Sequence, residues 1–82
     1  MANAFTTWID TFFQEKGIDT DAPIEVEGAF GTNYMRVQNV IDAIKGTSSR
    51  EQQQIKTTFV KIDFANGDPL HFVRHLAQAI AV

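Results

Sequence analysis

The segment from Ser48 to Phe64 decides which fold class this chain adopts, because its two halves carry conflicting patterns. Ser48 and Glu51 have the spacing of an S-x-x-E capping box, in which the hydroxyl accepts a hydrogen bond from a backbone N–H at the start of a helix. Further along, the run TTFVKIDF alternates Val60, Ile62 and Phe64 with charged residues, which is typical of a strand. The opening half therefore predicts a helix and the closing half allows a strand.

We expect a helix, because the cap starts one directly before the three glutamines at 52–54, which have no other structural role. A single strand at 57–64 would also need a second strand to pair with. The predicted fold is all-α, a compact bundle of about four short helices. The alternative is a small α+β fold in which residues 24–28 pair with residues 57–64. In either case the 82 residues make a single domain, 1–82, because a chain of this length buries only enough surface on folding to form one modest core.

The first helix has the clearest apolar pattern in the chain. Asn3 is its predicted cap, and Gly17 is the predicted left-handed residue after its end, with Ile18 folding back on the last turn. Spacings of three and four residues place five apolar side chains on one buried face: Phe5, Trp8, Ile9, Phe12 and Phe13.

The next stretch, DTDAPIEVEGAFG, is interpreted as a connection held by Ile24, Val26 and Phe30. We expect Thr32 to cap a second helix that ends near Lys45 and Gly46. Its predicted inner face comprises Tyr34, Val37, Val40, Ile41 and Ile44, while Met35, Asn39 and Asp42 face away.

The third helix is predicted to run to about Ala65 and to stop at Asn66 and Gly67. Asp68 and Pro69 have the chemistry of a cap and a first helical residue, so they predict the start of a fourth helix. In that helix the inward-facing residues are predicted to be Val73, Leu76, Ala77 and Ile80.

If the third helix forms, its apolar residues point in two directions. Steps of about 100° per residue put Ile55 and Phe59 on one side and Val60 and Phe64 on nearly the opposite side. A chain this small has few elements to cover both sides, so we expect Val60 and Phe64 to meet a partner protein or a second copy in a homodimer. Met35, Lys56, Lys61 and Asp63 complete the predicted surface, with the charges setting orientation.

Residues 48–56 carry a rival hypothesis, that of a DNA-binding regulator. In a helix-turn-helix-like element the start of the second helix reads base edges, and Arg and Gln pair with guanine and adenine. The readers would be Arg50, Gln52, Gln53 and Gln54. The net charge of −3 argues against nucleic acid as a partner, since affinity for DNA depends mainly on neutralising phosphates.

His71 and His75 have the four-residue spacing at which two imidazoles bind one metal, with Asp68 one turn earlier. Both histidines fall on the polar face of the last helix with no Glu between them as in H-E-x-x-H, so we interpret them as surface residues. No other spacing singles out a catalytic pair. We therefore expect no metal, no cofactor and no enzymatic activity.

The absence of cysteine fits a reducing compartment, and the chain shows neither a signal sequence nor a membrane span. We expect a cytoplasmic location with no membrane partner. Together these features favour a small non-catalytic protein-interaction or self-associating module. Short cysteine-free chains of this kind are common among the accessory proteins of bacteria and their mobile elements.

Overall fold

The computed structural model describes residues 4–81, and within them it contains four helices and one two-stranded antiparallel sheet. Asn3, the predicted cap of the first helix, lies outside the described residues. In chain order the elements are α1 (Ala4–Glu15), β1 (Pro23–Gly28), β2 (Gly31–Arg36), α2 (Val37–Lys45), α3 (Ser49–Phe64) and α4 (Pro69–Ala81).

The all-α prediction is therefore confirmed only in its helical part, and the small α+β class fits the sheet. The strand pairing predicted for that class is wrong, however. Residues 57–64 lie inside α3, and β1 pairs with β2, the segment that follows it in the chain.

The hairpin forms because two glycines bracket a two-residue turn between the strands. Gly28 lies opposite Gly31 in the ladder, and Gly31 has φ +122°, a conformation that L side chains rarely adopt. In β1, Ile24 and Val26 point into the core while the residues between them face solvent. Phe30 was predicted to hold this segment against the core, and instead it lies in the turn, fully exposed.

The predicted cap at Thr32 is wrong, because Thr32 lies within β2. The second helix starts at Val37, and the side chain of Asn39 accepts a hydrogen bond of 2.8 Å from the Arg36 backbone N–H at its start. Tyr34 was predicted to face the core and is exposed on the sheet. Met35 was predicted to face away, and it packs partly buried against the core.

The start of α3 is confirmed in detail. The Ser48 hydroxyl accepts from the Glu51 backbone N–H at 3.2 Å, and it lies 3.2 Å from the Glu51 carboxylate, to which it donates. At the other end Asn66 has φ +57°, and the Gly67 N–H donates to the Ile62 carbonyl at 2.8 Å. The left-handed turn at Asn66 lets the Gly67 N–H satisfy a carbonyl that the end of the helix would otherwise leave unpaired.

The ends of the other helices also follow the prediction. Gly17 has φ +66° after α1, and the Ile18 N–H donates to the Phe13 carbonyl at 3.2 Å. The Asp68 carboxylate accepts from the Leu70 N–H at 3.0 Å and so caps α4. Within α4, Val73 and Ala77 are buried as predicted, whereas Ile80 is 42% exposed.

The four helices pack around one core in which aromatic rings form the centre. Phe59 of α3 is fully buried, and its ring centroid lies 5.3 Å from that of Phe12, 5.6 Å from Phe13 and 4.9 Å from Phe72. Helix α1 packs on α2 and α3, helix α4 packs on α2 and α3, and β1 packs on α4. Within residues 4–81 no helix combines the length and hydropathy needed to cross a bilayer.

Candidate functional site

The surface of α3 that points away from the core is the strongest candidate for a functional site. Helical geometry aligns Gln53, Thr57, Val60 and Phe64 on this side, at steps of three or four residues, and we call these four residues the α3 stripe. Phe64 is 91% exposed and Val60 is 48% exposed. The predicted second apolar face of α3 is therefore present on the surface of the single chain.

The polar half of the stripe uses part of its hydrogen-bonding capacity within α3. The Thr57 hydroxyl donates to the Gln53 carbonyl at 2.9 Å, and the Thr58 hydroxyl donates to the Gln54 carbonyl at 3.0 Å. These bonds keep β-branched residues compatible with the helix, because the hydroxyls pair with the preceding turn. The apolar centre of the stripe thus lies toward its C-terminal end, at Val60 and Phe64.

The charges predicted to surround that centre differ in their surroundings. Lys56 lies over the ring of Trp8, with its Nζ 5.4 Å from the ring centroid, and Asp63 pairs with Lys16, the residue that follows α1. Lys61 is exposed, and it makes no ion pair within the described part of the chain. Lys61 is therefore the member of the predicted rim that can turn toward a partner without breaking an ion pair or a contact with an aromatic ring.

The structure does not bring Met35 to the stripe. Met35 lies in β2 opposite Ile24 and packs against the core, and β2 leads directly into α2. Helix α3 packs instead on α1 and α4. The apolar centre of the candidate surface consists of Val60 and Phe64 alone.

The residues of the DNA-reading hypothesis are divided between core and surface. Arg50, Gln53 and Gln54 are exposed, whereas Gln52 is only 6% exposed. The Gln52 side-chain amide donates to the carbonyls of Lys45 and Thr47, at 3.1 and 3.2 Å. Gln52 therefore fastens the connection between α2 and α3, and the DNA hypothesis is left with the other three residues.

The histidines of α4 are both exposed, as the sequence predicted. The His75 ring stacks on Phe72 with the two centroids 6.4 Å apart. Among residues 4–81, no three His, Cys, Asp or Glu side chains come together closely enough to hold a metal ion.

His75 also lines an open groove of about 270 Å³ between α3 and α4. Ile55, Phe72 and Leu76 give the groove an apolar floor, and Glu51 lies among its polar walls. The groove is open to solvent, and it offers an apolar trough beside the polar edge of α3.

The hairpin supplies a second surface, which the sequence interpretation missed. Its outer face carries Glu25, Glu27, Thr32 and Tyr34, with the Tyr34 hydroxyl 3.5 Å from the Glu25 carboxylate. Glu25 and Glu27 make no salt bridge in the described chain. The signal for this hairpin was the alternation in IEVEG followed by two glycines around a two-residue turn.

Comparison with protein families, with curated proteins and with solved structures finds no match to this chain.

Proposed function

We propose that the protein is a small non-catalytic interaction module that associates with a second copy of itself through the α3 stripe. The observation that carries this proposal is the exposure of Phe64 and Val60 on a helix whose other side, at Ile55 and Phe59, is already buried in the core. Neither of these two side chains belongs to the core or packs against it. Their burial requires another molecule.

The size of the apolar centre supports a weak association that depends on concentration. Burying an exposed Phe contributes roughly 2–3 kcal/mol and completing the burial of a half-exposed Val roughly 1 kcal/mol. A symmetric contact counts these contributions twice, which gives about 6–8 kcal/mol. Association costs about 4–15 kcal/mol in lost translational and rotational freedom. The gain is of the same order as the cost, so the apolar centre gives at most a weak, reversible contact and needs polar contacts around it.

The charges on the surface support a second copy as the partner. Lys61 beside the stripe and Glu25 and Glu27 on the hairpin all lack ion-pair partners within the described residues. Helix α3 packs on α1 and α4, while the hairpin packs mainly on α4, so these opposite charges lie on different surfaces. In a symmetric contact through the α3 stripe these charges do not meet directly, so they act on the orientation of approaching copies and not within the contact itself.

Analytical ultracentrifugation over a hundredfold range of concentration tests the proposal. The wild type is compared with the double variant Val60→Asp/Phe64→Asp and with Ile80→Asp, which adds a carboxylate at another exposed apolar residue. We expect the average mass of the wild type and of Ile80→Asp to rise with concentration, and that of the double variant to rise less.

Circular dichroism must show that the double variant keeps its fold, which we expect because both side chains are exposed. Identical curves of mass against concentration for the wild type and a folded double variant would remove the α3 stripe from any self-association.

A further inference from the structure

The two edges of the small sheet differ in what covers them: the edge of β1 contacts α4, and the edge of β2 is exposed. The outer edge of β1 is occupied at Glu27 by Gln78 of α4: the Glu27 N–H donates to the Gln78 side-chain carbonyl, and the Gln78 amide donates to the Glu27 carbonyl, both at 2.9 Å. A side chain here takes the place of a neighbouring strand. In β2 every residue is exposed except Met35, which is partly buried. The outer edge of β2 is therefore open.

The register of the hairpin determines which backbone groups this open edge presents. Directly after the sheet, the Val37 N–H donates to the Ala22 carbonyl at 3.1 Å, in the same register. Hydrogen-bonded pairs alternate along an antiparallel ladder, so Asn33 bonds to β1 while the N–H and C=O of Thr32 and Tyr34 point outward. The open edge thus offers two donors and two acceptors.

The open edge of β2 ends at Arg36, because a hydrogen bond within the chain already uses the backbone N–H of this residue. Arg36 is the next residue in the outward series, but its N–H already donates to the Asn39 side chain at 2.8 Å. An incoming strand therefore finds complete donor and acceptor pairs at Thr32 and Tyr34, and a partial one beyond them.

We propose that β2 pairs with β2 of a second copy, antiparallel and about a two-fold axis that passes beside Asn33. In this register Thr32 of each copy lies opposite Tyr34 of the other, and each such pair exchanges two hydrogen bonds. All the outward groups of both residues are then used in both copies. The result is a continuous four-stranded sheet, which is better supported than an isolated two-stranded ribbon.

The side chains of the strand favour a second copy as the occupant. Arg36 is the only charged residue of β2, and this register places it beside the turn that carries Phe30 in the other copy, not opposite another charge. A guanidinium over an aromatic face is attractive, and Phe30 is otherwise fully exposed. The edge also contains no lysine, proline or bulge, the features with which proteins commonly block edge pairing.

A single-cysteine crosslink tests the register, because the natural chain contains no cysteine. Asn33 would lie opposite its own copy at a non-hydrogen-bonded pair, where Cα atoms are about 4.5 Å apart, within the range that a disulfide spans. For Thr32 the corresponding distance is about 8 Å, too long for a disulfide. Under mild oxidation we expect Asn33→Cys to form a covalent dimer and Thr32→Cys to remain largely monomeric. Equal crosslinking of the two variants, or none, would overturn the proposal.

A pair of substitutions at Tyr34 tests the edge without introducing a thiol. Tyr34→Pro removes an outward N–H that the hairpin does not use, whereas Tyr34→Ser removes the same ring and keeps the N–H. With Asn33→Cys in the background, we expect Tyr34→Pro to abolish the crosslink and Tyr34→Ser to retain it, with both variants folded by circular dichroism. A crosslink that survives Tyr34→Pro would refute edge pairing.

The same crosslink separates this inference from the proposed role of α3. In the Asn33→Cys background, Val60→Asp/Phe64→Asp should leave the dimer intact, because the α3 stripe lies outside the paired edge. Loss of the crosslink in that folded variant would show that α3 brings the copies together and would overturn independent pairing through β2.

Discussion

Replacing Gln52 by leucine tests whether this residue serves the fold or serves a ligand. Leucine keeps most of the side-chain volume but cannot donate to the Lys45 and Thr47 carbonyls, which Gln52 reaches at 3.1 and 3.2 Å. Lys45 is the last residue of α2, so its carbonyl has no acceptor role within the helix and depends on such a partner. Each lost hydrogen bond costs about 1 kcal/mol, which gives a loss of about 2 kcal/mol in the free energy of unfolding.

For a domain of this size 1 kcal/mol shifts the melting temperature by about 4–8 °C, so we expect Gln52→Leu to lower it by roughly 8–16 °C. Thermal melts followed by circular dichroism measure the shift, and urea titration measures the free energy. Gln54→Leu is the matched control, because Gln54 is an exposed glutamine on the same helix. A loss of less than about 2 °C for Gln52→Leu, or an equal loss in the control, would refute the reasoning. A glutamine kept for reading DNA would leave stability unchanged.

Two further substitutions test the core and one helix end. Phe59→Ala removes the ring that three other aromatic side chains surround, and we expect it to cost about 3–5 kcal/mol by urea titration; a cost below 1 kcal/mol would mean that this ring is not central to the core. At Asn66, where φ is +57°, alanine should cost about 1 kcal/mol while glycine is neutral or stabilising, and equal melting temperatures for both variants would contradict the left-handed conformation.

The helix ends were predictable from sequence because they depend on local chemistry. A hydroxyl at Ser48, a carboxylate at Asp68 and left-handed residues at Gly17 and Asn66 each act within a few residues of their own position. The exposure of Val60 and Phe64 was predictable for a similar reason, since helical steps alone separate them from Phe59.

The second strand was not predictable by the same means, because its residues carry two patterns at once. Tyr34, Val37 and Ile41 have helical spacing, and Thr32 has the chemistry of a cap, so local signals extend α2 by four residues. Pairing with β1 decides between the two patterns. Because β1 buries Ile24 and Val26, its backbone must form hydrogen bonds with another strand. The glycines at the turn make the following segment the nearest available partner.

The burial of Gln52 was missed although a signal was present. Gln52, Ile55 and Phe59 follow one another at spacings of three and four residues, so the glutamine falls on the same side of α3 as the core residues. The DNA hypothesis treats this amide as an exposed group that reads a base edge. Spacing was the better guide here, since the carbonyls at the end of α2 provide the buried amide with acceptors.

The replacement of the predicted helical turn by β2 changes what the surface of this protein can bind. In a helix capped at Thr32 the C=O groups of residues 32–36 would be paired within the helix, and the unpaired N–H groups would be confined to its first turn, so no row of alternating donors and acceptors would face a partner strand. In an edge strand alternate residues present both backbone groups to solvent, and these groups hold a partner strand in a fixed register. A partner can bind the apolar α3 stripe in more than one orientation. A partner strand that pairs with the β2 edge is held in one direction and one register. An all-helical chain of the same composition would have the first kind of contact without the second.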